Sequence, residues 1–234
     1  MAGSPATPQA PGGQDHLALP AESTTSIKGV PMRPSFYDPC RFPQLKHLAD
    51  NWEVIREEFL ALNAPTLTIN RVGKQIAEIV EEIDAHMAAG GEYGWLWGWG
   101  DDMDIMPEWT QYGLVAYDTP IPYARDAMPG TIELLSKIPG IKLCALLRME
   151  PNVFLGTHSH TGTWEEGLLH MQLTIDAPTT QNYAYLNVNG SFNQSTNGNL
   201  VIFDGSLDHF AVNASRAHRT VLYLEFHREK HMVA

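Results

Sequence analysis

The chain has 234 residues, 44% of them hydrophobic and 18% charged, with a formal net charge of −12. That length suits one domain, with or without an extension, and the composition supports a sizeable core. The acidity excludes a tight nucleic-acid binder, which needs a basic footprint, and docking on an anionic membrane surface.

Residues 1–33, rich in Pro, Gly, Ala, Ser and Thr, are expected to form a disordered leader. It lacks a basic stretch followed by an apolar one, and no apolar run in the chain reaches the roughly 18 residues of a membrane span. A cytoplasmic protein is expected. Residues 34–234 are read as one domain, helix-rich over 34–140 and a β-barrel core over 141–228. In "RFPQLKHLADNWEVIREEFLAL", Leu45, Leu48, Trp52, Ile55 and Phe59 recur at helical spacing, which predicts an amphipathic helix. "GKQIAEIVEEIDAHMAAGG" predicts a second, with Ile76, Ile79, Val80 and Ile83 on one face and a Gly pair as its stop.

"GEYGWLWGWGDDMDIMPEW" follows, with four tryptophans, four glycines and the acidic Asp101, Asp102 and Asp104 in nineteen residues. Its glycines argue for a loop or a broken strand pair. As a lid or wall it would favour a cationic or aromatic group, with Trp97 and Trp99 as candidate substrate contacts; the alternative is simple packing on the barrel exterior. A short helix is predicted at "PGTIELLSKIPG". Beyond Gly140, "IKLCALLRMEP", "LLHMQLTID", "NYAYLNVNGSF", "NLVIFDGS" and "RTVLYLEFH" are short apolar or alternating runs separated by turn residues. That is the pattern of an antiparallel barrel or sandwich, and the whole chain reads as α+β. The two cysteines, Cys40 and Cys144, make neither a disulfide framework nor a thiolate zinc site.

Three of the ten histidines, His158, His160 and His170, fall within the thirteen residues 158–170. On a strand, His158 and His160 would face the same side. Iron sites built from two histidines and one carboxylate commonly place the first histidine two residues before the acid. From His160 that offset falls on Gly162, and from His158 on another histidine, so no acid stands there. Further on, "NLVIFDGSLDHFAVNASRAHRTVLYLEFH" reads as strand, turn, His209, turn, Arg219, strand. A lone turn histidine is commonly a surface residue. An arginine ten residues on suits capture of a carboxylate, because its fork pairs both oxygens.

Taken together, "HTG" at His160–Gly162, "LLHMQL" around His170, "IFDGSLDHFAVNAS" and Arg219 resemble the aspartyl/asparaginyl β-hydroxylases. "FYDPCRFPQLKHLADNWEVIREEF" and "PGTIELLSKIPGIKLCALLRMEP" are similar to that family's opening helix and its lead into the barrel. The resemblance implies a double-stranded β-helix, a jelly roll of the cupin kind, with the N-terminal helices packed outside. It implies an Fe(II) site of two histidines without a carboxylate, here His160 and His209. Arg219 would bind the distal carboxylate of the co-substrate 2-oxoglutarate, and His170 would help hold that co-substrate. His158 matches no motif position and is expected near the mouth of the site, as a candidate substrate contact. With dioxygen, such a site hydroxylates an unactivated C–H bond of an amino acid, a peptide or a carrier-tethered amino acid. No general base is required, and the oligomeric state is open.

The chain departs from the family pattern at Leu168, where an arginine is usual, and at Leu147, where a small polar residue is usual. Aspartyl residues of proteins are therefore not carried over as the substrate. Two alternatives stand beside hydroxylation. One is 2-oxoglutarate-dependent halogenation, since a His-x-Gly leaves room for a halide on iron. The other is a non-catalytic jelly roll that binds a metal or small ligand.

Overall fold

A computed structural model describes residues 33–99 and 105–231. The leader, Asp101, Asp102 and Asp104 lie outside the described residues, apart from the last position assigned to the leader, Arg33.

The first predicted helix is two, α1 (Pro43–Asp50) and α2 (Trp52–Ala61). Asn51 divides them: its side-chain amide donates to the His47 carbonyl at 2.8 Å, closing α1. Proline stands at the start of α1, where its missing N–H costs nothing. The second predicted helix is α3 (Ile76–Ala88). Glu78 reaches back to the Gln75 amide at 2.7 Å in a capping box, and Gly90, at φ +87°, follows its end. Two short helices precede the barrel, α4 (Pro122–Ala127), which periodicity does not reveal, and α5 (Pro129–Leu135).

Among the described residues there are twelve strands. They are β1 (Thr66–Leu67), β2 (Trp95–Trp99), β3 (Ile105–Ala116), β4 (Thr119–Pro120), β5 (Ile141–Met149) and β6 (Val153–His158), then β7 (Leu168–Asp176), β8 (Ala184–Val188), β9 (Ser191–Gln194), β10 (Leu200–Phe203), β11 (His209–Asn213) and β12 (Arg219–His227). One sheet runs β1-β2-β3-β5-β12-β7-β10, with β4 beside β3; the other runs β6-β11-β8-β9. From β5 onward the chain alternates between the two sheets, changing sheet at every step except the β8–β9 hairpin. The eight strands β5–β12 form a double-stranded β-helix, and β1 to β3 extend its larger sheet.

One element differs from the sequence expectation, and one settles its two alternatives in favour of the broken strand pair. His209 is not in a turn; it opens β11 and pairs with His158 on β6 and Val188 on β8. The tryptophan-rich segment is a strand pair, β2 with β3, with a register shift between Trp97 and Gly98. A side chain at Gly98 would start 2.0 Å from the Trp109 ring, so the glycine lets that indole lie across the neighbouring strand.

The alternation of side chains along β7 and β12 divides the molecule. Leu169, Met171, Leu173 and Ile175 of β7 and Leu222, Leu224 and Phe226 of β12 face outward and join Leu45, Leu48, Ile55, Met128 and Leu135 of the helical region in the main core. The opposite faces carry His170, Gln172, Arg219, Tyr223 and Glu225, all buried. The helices therefore pack on the back of the larger sheet, and its front face is left for polar groups.

One side chain ties the helices together. Glu58 on α2 accepts hydrogen bonds from the amides of Gly130 (2.7 Å) and Thr131 (2.8 Å) and from the Thr131 hydroxyl (2.6 Å). A carboxylate at the start of α5 satisfies donors that the helix itself cannot. Glu58→Ala strands these donors beside fully buried Thr131 and is expected to cost about 1–3 kcal/mol, roughly 2–4 °C of melting temperature per kcal/mol, read by thermal denaturation.

Candidate metal centre

Between the two sheets lies a cavity of about 390 Å³. Its walls are mostly apolar, with Trp109, Leu147, Met149, Leu155 and Phe203 among them, and its polar groups include His158, Ser159, His160, Gln172, His209, Arg219, Tyr223 and Glu225.

The histidines come from three places: the end of β6 (His158), the loop after it (His160) and the start of β11 (His209). The His160 amide donates to the Gly205 carbonyl at 2.8 Å. The Asp204 carboxylate shapes that turn by accepting from the amide and hydroxyl of Ser206, and it also pairs with Arg33. Ring centroids are 4.3 Å apart for His158 and His209, 5.2 Å for His160 and His209 and 5.5 Å for His158 and His160. One nitrogen from each of the three lies within 4.8 Å of the others. A second group, His160, His170 and Glu225, meets the same limit.

The donor chemistry fits a metal ion. Nδ1 of His158 lies 2.8 Å from the Gly156 carbonyl, and Nδ1 of His209 lies 2.8 Å from the Leu207 carbonyl. A carbonyl only accepts, so each ring carries its proton on Nδ1 and keeps a lone pair on Nε2, the arrangement of metal-binding histidines. Burial, with the neighbouring His209 and His158 adding to it, lowers the His160 pKa to about 3, and burial and His158 lower that of His209 to about 4. At neutral pH both rings are uncharged and able to ligate. The 3.8 Å approach of His160 Nδ1 to Glu225 is therefore no ion pair. Its length also exceeds a hydrogen bond.

His170 is fully buried, and its Nε2 has no hydrogen-bond partner among the described residues. Its Nδ1 lies 3.1 Å from the Tyr223 hydroxyl, which donates to Glu225 at 2.9 Å. Desolvation raises the Glu225 pKa and holds that of His170 well below its usual value. Arg219 is 2% exposed. Its partners are Ser195 Oγ (3.1 Å), Gln172 Oε1 (2.6 Å) and Met149 Sδ (3.7 Å), all neutral. Burial lowers its pKa to about 10, so it stays charged at neutral pH.

The model of the aspartyl/asparaginyl beta-hydroxylase family matches residues 49–229. The chain belongs to that family. No curated protein matches it in sequence. Among solved structures it is similar to a predicted oxalate decarboxylase from Thermotoga maritima (14% identity, covering 50% of this chain and 79% of that one, TM-score 0.34). It is also similar to the cupin domain of an XRE-family transcriptional regulator from Enterobacter cloacae (13% identity, 51% and 96%, TM-score 0.35), and to KdgF from Halomonas sp. (9% identity, 52% and 82%, TM-score 0.34).

Within this hydroxylase the structure sets His158, His160, His209 and Arg219 in the walls of one cavity; His170 is buried beside His160, ring centroids 4.6 Å apart, and does not line it. Trp97 is half-buried on β2, where its carbonyl accepts from Arg71, and it does not line the cavity; Trp109 does. Trp99 is in β2, and its side chain lies outside the described part. Gly162, at φ +88°, does not line the cavity, and a side chain there would meet no atom within 4 Å. Leu168 is buried and brings no charge to the site.

Sequence reading passed over Gln172, Tyr223, Glu225 and Gly205. The first three were signalled: in "RTVLYLEFH" the polar residues Arg219, Tyr223 and Glu225 sit at even spacing among aliphatics, and His170 and Gln172 do so on β7. Gly205 carried no signal, since its role is to leave room. A side chain there would start 2.1 Å from Cε1 of His170.

Two outcomes are expected. Gly205→Ala displaces the His170 ring and costs about 1–3 kcal/mol of overpacking, seen in urea denaturation and in a shifted His170 ring resonance. The second concerns pH. His160 and His209 have folded pKa values below the 6.5 of the free side chain, so as pH falls the unfolded chain takes up protons first. Their contribution leaves stability unaffected above about pH 6.5 and reduces it progressively as pH falls toward 4 and 3. Urea midpoints of metal-free protein between pH 7 and 4.5 should show a steeper decline than those of a His160→Gln/His209→Gln variant.

Proposed function

We propose that the protein is an Fe(II)- and 2-oxoglutarate-dependent hydroxylase acting on an unactivated C–H bond, at the β-carbon, of an amino acid, a peptide or a carrier-tethered amino acid. The observation that carries this reading is Arg219. A guanidinium buried without an acid beside it among the described residues carries a desolvation penalty of several kcal/mol, and its fork faces the histidine-lined cavity. A dicarboxylate with one end on the metal and the other on Arg219 supplies the missing counter-charge.

Bound iron would supply the redox chemistry, coupling decarboxylation of 2-oxoglutarate to oxygenation of the substrate. The chain's own groups orient and exclude. Gln172 and Ser195 hold the guanidinium so that its remaining N–H groups can pair a carboxylate. His170, whose buried Nε2 has no hydrogen-bond partner among the described residues, would help hold the co-substrate. Trp109, Leu147, Met149 and Leu155 keep water from the reacting carbon. A cavity of about 390 Å³ falls within the roughly 300–1,000 Å³ of small-molecule sites. Among the described lining residues Arg219 is the sole Arg or Lys. With that cation committed to the co-substrate, the site supports a substrate that brings no further carboxylate to this place.

Arg219→Ala is expected to raise the apparent KM for 2-oxoglutarate by roughly 30- to 5000-fold, the equivalent of about 2–5 kcal/mol for losing one member of a buried charged pair, while metal affinity changes little. Arg219→Lys should recover part of the loss. Succinate formation by protein loaded with Fe(II) is the measurement, and unchanged 2-oxoglutarate dependence would remove the reading. Mass spectrometry of candidate amino acids and peptides then separates gain of one oxygen from gain of one chlorine.

A further inference from the structure

We infer that His158 is a metal ligand, and that this chain holds its ion with three histidines, His158, His160 and His209, where the family pattern implies two. The inference rests on the iron reading above and deepens it.

Three observations carry it. First, His158 and His209 are matched: each closes Nδ1 onto the carbonyl two residues before it, so each presents Nε2 as a fixed lone pair. They are direct partners across β6 and β11, with ring centroids 4.3 Å apart, nearer than His209 is to His160. A site that used His209 and left out His158 would leave an equally prepared lone pair beside the ion.

Second, the chain order fits. With His158 as the first ligand, the position two residues on, which holds the acid in a site of two histidines and one carboxylate, is His160. The missing carboxylate is then a replaced ligand, and Gly162 has no coordination role; its open surroundings agree.

Third, the competing set of His160, His170 and Glu225 has two members tied to Tyr223, although Nε2 of His170 stays free, and it does not include His209. The Tyr223 hydroxyl occupies both His170 Nδ1 and Glu225, and the His170 ring lies 6.4 Å from that of His209. Metal–nitrogen bonds of about 2.0–2.1 Å place two ligands of one ion no more than about 4.2 Å apart. Three such nitrogens on one ion lie about 3.0–3.6 Å apart, so nitrogens within 4.8 Å close around it with movements of up to about one ångström. Three neutral ligands leave the full charge of a divalent ion, which favours anionic co-ligands, and leave three of six positions to them.

The test uses the full chain and Co(II) as an oxygen-inert probe. His158→Ala should weaken Co(II) binding by more than about 100-fold, as should His160→Ala and His209→Ala, beyond the roughly 10- to 100-fold that a group merely supporting a ligand contributes. His158→Cys should show a near-ultraviolet thiolate-to-cobalt charge-transfer band, absent from wild type and from His218→Cys on the surface; this decides the matter even where the alanine variant fails to fold. His158→Ala binding within tenfold of wild type, with no band in His158→Cys, overturns the third ligand and leaves the iron reading standing. So does loss of metal in His170→Gln and Glu225→Gln while His158→Ala retains it. Wild-type protein that takes up neither Co(II) nor Fe(II) overturns both.

Discussion

The buried guanidinium of Arg219 is the constraint around which the site is arranged. Its three partners are a hydroxyl, an amide oxygen and a thioether, none of which neutralises it. A cation in that position persists only where the backbone that carries it cannot relax away. Strand β12 meets that condition, paired along its length with β5 on one side and β7 on the other, while Leu222, Leu224 and Phe226 are buried on its far face. Aliphatic burial of about 1.5–3 kcal/mol per side chain on the outer face offsets the polar burial on the inner one.

The same division explains why the helices stand where they do. They cover the outer face of the larger sheet, and nothing aliphatic from them needs to enter the barrel. The barrel's front is then free to hold histidines from both sheets: His158 and His209 from the smaller one, His170 with Tyr223 and Glu225 from the larger, and His160 on the loop that leaves β6. Because the site spans both sheets, its geometry depends on how they close on each other. The turn at Asp204–Ser206 contributes to that closure, presenting a carbonyl to His160 while keeping the space above His170 clear.

Much of this was legible in one dimension. Helical spacing located α1, α2 and α3, because each helix buries one face and so leaves a period in the sequence; β5, β7, β10 and β12 showed as short apolar or alternating runs between turn residues. The division at Asn51 was less visible, since the side-chain bond to His47 that ends α1 depends on local geometry and leaves the hydrophobic spacing intact. Strands β6 and β11 were invisible for a related reason. They are six and five residues long, with turn-forming residues at their edges. What makes them strands is pairing with each other and, for β11, with β8, and the partners are far apart in the chain.

Sequence by itself determined that the chain is an acidic α+β protein of this hydroxylase family, and it singled out His160, His209, Arg219 and His170 as candidate site residues, because residue type and order survive without coordinates. Tertiary structure decided what those residues have beside them. It set the lone pairs of His158 and His209 side by side across a strand pair, put Trp109 rather than Trp97 against the cavity, and left Arg219 without an acid among the described residues. Each of these is a distance between groups from different strands, fixed by how the two sheets close.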